Sequence, residues 1–136
     1  MSLIKPSPGL RPAPGRAADV AAPPYDVLST DEARQIVHGA EGRPWSFLHI
    51  SKPEIDLPAG TDPYAPEVYS KAADNLERMV AAGVLVRDRR PGYYAWRMVM
   101  GGHSQTGIAV SASVAAYDAN RIRRHEFTRP DKEDDR

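Results

Sequence analysis

Proline sets the first limit on what this chain can build. Thirteen of its 136 residues are proline, and Pro6, Pro8, Pro12, Pro14, Pro23 and Pro24 fall near the start. Each fixes φ and removes an amide donor, so no long regular element crosses that stretch. It is expected to run as an extended segment over the domain, with a short strand around Leu3 to Lys5 at most. Pro53, Pro58 and Pro63 interrupt the chain again, and regular structure must fit between these breaks.

Within the gaps, the signals are specific. Ser29 or Thr30 suits a helix N-cap, Asp31 and Glu32 suit its first turn, and Gly39 suits its end after His38. Trp45 to Ile50 is apolar enough, and alternates enough, to be expected as a strand. Pro66 fits the first turn of a second helix, which Gly83 ends. Along it Val68, Tyr69, Ala72, Leu76, Met79 and Val80 recur at helical spacing as one apolar stripe. Val84 to Val86 is a brief apolar run leading to a turn at Arg89 to Gly92. Tyr93 to Met100 and Thr106 to Val114 read as strands joined through Gly101 and Gly102, a pair that tolerates the positive φ of a tight hairpin. Ala115 to Asn120 suits one helical turn, and Ile122 to Phe127 a short strand or extended loop. Pro130 can open a helix with acidic residues at its start. The expected fold class is α+β: one domain with a mixed or antiparallel sheet around the hairpin, and the helix from Pro66 to Ala82 packed on that sheet.

Composition removes several functions. Lys plus Arg and Asp plus Glu are both 18, so the formal net charge is zero and the totals supply no basic surface for nucleic acid. Without cysteine there are no disulfides, thiolate zinc sites or cysteine nucleophiles. No apolar run approaches the roughly 18 residues that a membrane span needs. The Pro-rich start has no apolar core of a secretory signal, so a cytoplasmic setting is the default expectation.

No phosphate-binding glycine loop, nucleophile elbow or His-Glu-x-x-His occurs. Three polar clusters stand out instead. In the first, Pro23 and Pro24 hold the backbone before Tyr25 and Asp26; an Asx-type turn leading into the helix explains the same residues. In the second, His49 precedes Ser51, Lys52, Glu54 and Asp56. Lys52 suits a phosphate, and Glu54 or Asp56 suits a base or a metal, while a histidine at such a place also serves as a structural hydrogen-bonder. The third packs His125, Glu126, Thr128, Arg129, Lys132 and Glu133 around Pro130. Thr128 and the free amides of a helix start can bind an anion, with Arg129 and Lys132 adding charge; a solvated helix start with ion pairs is the plainer alternative.

The strings APPYDVLS (22–29), SFLHISKPEIDLP (46–58), GTDPYAPEVYSKAADNLERMVAAGVL (60–85) and RRHEFTRPDKEDDR (123–136) resemble signatures of the domain-of-unknown-function family 1015. The resemblance covers nearly the whole chain and keeps the order of the motifs. It implies a longer protein, of which this chain is the N-terminal piece, an incomplete domain expected to be inactive alone. The family's later part carries Asp-Gly-His-His-Arg, similar to a string in archaeal free-serine kinases of the ParB/sulfiredoxin-like fold; this sequence lacks it. By that similarity the protein is expected to phosphorylate a small alcohol, L-serine first, from ATP, ADP or pyrophosphate with Mg²⁺. The alternative is a ParB-like nucleotide-binding or regulatory module without turnover. The implied partners are a small-molecule substrate and either the remaining C-terminal part or a second copy. Family motif residues present here are Tyr25, Asp26, His49, Glu54, Asp56, His125, Glu126, Thr128, Arg129, Lys132 and Glu133. On that reading Glu126 or Glu54 takes the alcohol proton, His125 orients the phosphate or a water, and Thr128, Arg129, Lys132 and Lys52 hold phosphate oxygens. The three clusters should then meet, with Asp26, Glu54 and Glu126 around one cleft.

Overall fold

The structure, a computed structural model, describes residues 2–123. In chain order its elements are β1 (Ile4–Lys5), β2 (Leu10–Pro12), α1 (Ala17–Val20), a 3-10 turn (Tyr25–Val27), α2 (Thr30–His38), α3 (Leu48–Ser51), a second 3-10 turn (Pro53–Asp56), α4 (Pro66–Ala81), β3 (Leu85–Arg87), β4 (Tyr94–Met100), β5 (His103–Ala109), β6 (Ser111–Ala112) and α5 (Val114–Asp118). The chain is therefore α+β, and the described strands form three separate two-stranded antiparallel pairs, β1 with β6, β2 with β3 and β4 with β5. Two compact units divide the chain, one of residues 10–88, the other of residues up to Gly9 together with those from Arg89 onward.

The unit of residues 10–88 carries the helices. Ser29 caps α2 as expected: its hydroxyl accepts from the Glu32 amide, and the Glu32 carboxylate accepts from the Ser29 amide, a reciprocal capping box. Burial of Ala33 and Val37 then sets the inward face of that helix. They join Leu48 and Ile55 in one apolar cluster, while Val20, Met79, Val84 and Leu85 form another with Trp45, Ile50 and Leu76 against it.

The segment expected as a strand, Trp45 to Ile50, is instead a turn entering α3. Amides of His49 and Ile50 donate to the carbonyls of Ser46 and Phe47, and Lys52 donates to Leu48. The reason lies in the side chains. Leu48 and His49 are adjacent and both buried, whereas Phe47 is exposed. A strand turns neighbours to opposite faces, but a helical turn lets Leu48 enter one cluster while Ile50 packs on the other.

Helix α4 matches its expected limits and buries Val68, Asn75 and Met79. Its packing differs from the expectation. The helix seats on α3, the Pro53–Asp56 turn and β3, and the hairpin assigned to it belongs to the other compact unit. Tyr69 and Val80, counted in the apolar stripe, lie exposed, while Asn75 lies buried in their place. The inward face thus follows residues 68, 75 and 79, the i, i+7, i+11 recurrence of one helix side.

In the other unit, β4 and β5 form the expected hairpin, with Met100 facing His103 across Gly101 and Gly102 and Gly101 at φ +58°. Only glycine adopts that angle without steric cost. The Tyr94 hydroxyl accepts from the Gly9 amide at 2.6 Å and donates to the Ser7 carbonyl at 3.1 Å. A Cβ at Gly9 would stand 2.8 Å from the tip of the Tyr94 ring, so a side chain there would have to displace that ring from its two hydrogen bonds.

Candidate functional site

Candidate functional side chains gather around the Pro53–Asp56 turn. Arg34 of α2 holds the turn in place by donating to the carbonyls of Glu54 at 3.0 Å and Leu57 at 3.1 Å, with a longer contact to Ile55 at 3.4 Å. Three carbonyls gripped by one guanidinium keep a short, proline-led segment in a single conformation. The turn then presents Glu54 and Asp56 in different surroundings.

Glu54 is buried. Its Oε1 accepts from the Thr30 hydroxyl at 3.3 Å and faces Lys52 Nζ at 3.4 Å, and its Oε2 has no partner among the described residues. Asp56 sits among more groups. His49 Nδ1 donates to both carboxylate oxygens, at 2.8 and 2.9 Å. Asn75 Nδ2 donates to Oδ2 at 2.8 Å and to the His49 carbonyl at 2.7 Å. His38 Nε2 lies 3.4 Å from Oδ1, its ring edge-on to that of His49. The other nitrogen of His49, Nε2, faces the Arg43 carbonyl at 3.1 Å. A carbonyl and a carboxylate only accept, so both ring nitrogens of His49 face acceptors. Burial raises the carboxylate of Asp56, but the hydrogen bond and charge of His49, with Asn75 and His38, outweigh it and hold Asp56 below the ordinary aspartate value.

Asp56 and His49 open onto a cleft of about 600 Å³ lined also by His38, Arg43, Lys71 and Arg78. The Arg43 guanidinium spends two hydrogen bonds on the carbonyls of Ala18 and Ala21. Arg78 stacks 4.9 Å from the centre of the Trp45 ring and donates to the Pro44 carbonyl at 3.0 Å. Lys71 makes no hydrogen bond or ion pair among the described residues.

Of the residues expected from sequence, the structure brings together His49, Lys52, Glu54 and Asp56 on one short segment. Tyr25 and Asp26 lie exposed on the first 3-10 turn, neither with a side-chain hydrogen bond or ion pair among the described residues, and neither lines the cleft. His125, Glu126, Thr128, Arg129, Lys132 and Glu133 lie outside the described residues, as does the helix expected from Pro130.

Sequence reasoning missed His38, Lys71, Asn75, Arg43 and Arg78. One signal for Asn75 was present: it is a polar residue on the apolar face of α4, and buried amides require partners. His38 is the last residue of α2, a position where a histidine also serves the helix end, which hid its second use.

A family model, "Protein of unknown function (DUF1015)", matches residues 4–136. The chain belongs to the DUF1015 family. The match takes in the segments around Asp26, Glu54 and Asp56 together with the stretch from His125 to Glu133, as the motifs require. No curated protein and no solved structure matches this DUF1015 chain significantly. No helix among the described residues is long and apolar enough to cross a membrane.

Proposed function

We propose that this DUF1015 chain is part of a cytoplasmic phosphotransferase that moves a phosphoryl group from a nucleotide or pyrophosphate to a small alcohol, free L-serine first. The observation that carries the reading is the Lys52–Glu54 pair on a turn pinned by Arg34. Phosphoryl transfer depends on positioned charge more than on covalent chemistry, and this pair offers a cation for a phosphate oxygen beside a carboxylate for a proton. In the proposed step the alcohol oxygen attacks phosphorus, the bond from phosphorus to the donor oxygen breaks, and the alcohol proton passes to Glu54 Oε2, the oxygen without a partner among the described residues. Glu126, His125, Thr128, Arg129 and Lys132 keep the roles assigned from sequence. The ParB/sulfiredoxin-like relationship is part of the same proposal and rests on the family resemblance.

Mg²⁺ fits this site in one way. Among the described residues no group of three metal-binding side chains exists, and Mg²⁺ needs only one or two carboxylates when phosphate oxygens complete its shell. With Glu54 Oε2 taking the proton, a second carboxylate would hold the ion, which would supply charge neutralisation on the phosphates.

The fully occupied carboxylate of Asp56 favours a second reading, a nucleotide-binding module without turnover, because an oxygen already holding two donors is a poor base. Incubation of the full-length protein that contains this chain with L-serine, Mg²⁺ and ATP, ADP or pyrophosphate in turn, with phosphoserine read by mass spectrometry, tests the choice. Phosphoserine that disappears in Glu54→Gln supports transfer. Retained nucleotide without phosphoserine from any donor refutes it in favour of the second reading.

A further inference from the structure

The geometry points to the cleft between α2 and α4 as a binding site for a small multiply charged oxyanion of the phosphate or pyrophosphate class, held by Lys71 and His38. This deepens the phosphotransferase reading by giving donor phosphate a place, on two side chains to which the sequence alone assigns no functional role.

Charge carries the argument. The cleft of about 600 Å³ is lined by three permanent cations, Arg43, Lys71 and Arg78, and two imidazoles, His38 and His49, against one carboxylate, Asp56. That carboxylate is already paired with His49 at 2.8 Å. Glu67, Asp74 and Glu77 of α4 are exposed and do not line the cleft. The surplus is therefore positive, and low-dielectric walls strengthen it.

The individual cations divide into fixed and free. Arg43 and Arg78 are committed to carbonyls and to the Trp45 ring, so they shape the wall and add field. Lys71 is half-buried on the same wall and has no counter-ion among the described residues. Removing an ammonium partly from water without a partner is unfavourable, and an anion in the cleft supplies the partner. His38, with a half-exposed side chain, stands on the opposite helix, lines the cleft and has Nε2 3.4 Å from Asp56. An anion between them meets an ammonium from α4 and an imidazole from α2. Asn75 and Asp56 set the floor, and the carboxylate there disfavours an anion that fails to reach Lys71.

Titration calorimetry of the protein with inorganic phosphate, pyrophosphate and sulfate tests the site. Pyrophosphate should bind with a dependence on salt, and Lys71→Met should weaken it about tenfold or more, the worth of a charge-assisted hydrogen bond. Lys71→Arg, which keeps the charge, should restore most of the affinity and guards against a merely misfolded variant. His38→Gln should weaken binding by a smaller factor. Unchanged affinity in Lys71→Met, or equal binding of sulfate and pyrophosphate by wild type and variant, would overturn the site. The outcome for turnover separates the two proposals. Phosphoserine formation undiminished by Lys71→Met sinks the cleft as the phosphate site and leaves the transferase standing. Pyrophosphate binding lost in Lys71→Met, with no phosphoserine from any donor, supports the site and removes the transferase.

Discussion

Replacing Asp56 with alanine should be among the most destabilising single changes in the unit of residues 10–88. The carboxylate receives His49 through both oxygens and Asn75 through one, with side-chain exposures of 5% for His49 and 12% for Asp56. Its removal leaves a buried imidazole with one ring nitrogen facing no acceptor and an amide with one N–H unsatisfied. Breaking a buried pair by deleting one partner costs roughly 3–5 kcal/mol. Cleft water reaches Asp56 from one side, which places the expected loss at the low end, about 3 kcal/mol. For a unit of this size that is a fall in melting temperature of roughly 10 °C, from about 4 °C per kcal/mol. Asp56→Asn keeps one acceptor and the side-chain shape, and should lose about half as much. Urea unfolding followed by circular dichroism on Asp56→Ala, His49→Ala and the double variant measures the coupling. Interaction within one buried network should make the two losses non-additive by at least about 1 kcal/mol. Strict additivity, or an Asp56→Ala protein within about 0.5 kcal/mol of wild type, would show that the network carries no stability.

The same carboxylate fixes a pH dependence. Asp56 is depressed in the folded protein, so its contribution is fully present above the unfolded value near 3.9 and is lost as pH falls through the lower folded value. Wild type should lose stability on acidification below about pH 4 more steeply than Asp56→Asn, and parallel acid melts would contradict the assignment. Ser29→Ala removes the reciprocal cap of α2 and should cost about 1 kcal/mol in urea unfolding, while Ser29→Asp should cost almost nothing. Met79→Ala empties a fully buried position shared by Val20, Val84 and Leu85 and should cost about 2–5 kcal/mol, with a value under about 1 showing that the cluster collapses to fill the gap.

How much of this was readable beforehand depended on whether a residue's role was local. The cap at Ser29, the start of α4 at Pro66 and the turn at Gly101 follow from chemistry within a few positions, and all three stand where expected. Trp45 to Ile50 failed because a short apolar run carries no length or period to separate strand from helical turn; only the two clusters it bridges decide it. The grouping of His49, Lys52, Glu54 and Asp56 was legible because eight consecutive residues hold them. His38, Lys71 and Asn75 were not, since each enters the site from another helix and looks ordinary on its own. Asn75 shows the difficulty well. In the sequence it interrupts an apolar stripe, and only the His49 carbonyl and Asp56 beside it explain why an amide is buried there.

The turn itself imposes a constraint on any reaction. A 3-10 helix advances about 120° per residue, so Glu54 and Asp56, two apart, point about 120° from one another around its axis. Their surroundings agree: Glu54 meets Thr30 and Lys52, whereas Asp56 meets His49 and Asn75 and lines the cleft that Glu54 does not. A joint carboxylate pair on one ion is thus unavailable from this turn, and the proposed proton acceptor Glu54 and the proposed anion site at Lys71 lie on different flanks. On the proposed function, the donor would place one phosphate on each flank. If it does, Glu54→Gln and Lys71→Met act on separate groups of the same substrate. Their effects on kcat/KM should then add to within about 0.5 kcal/mol, with Lys71→Met raising KM for the donor and Glu54→Gln lowering kcat. Two effects no larger together than either alone would place both side chains on one charge centre, and the division of the turn into two flanks would have to be abandoned.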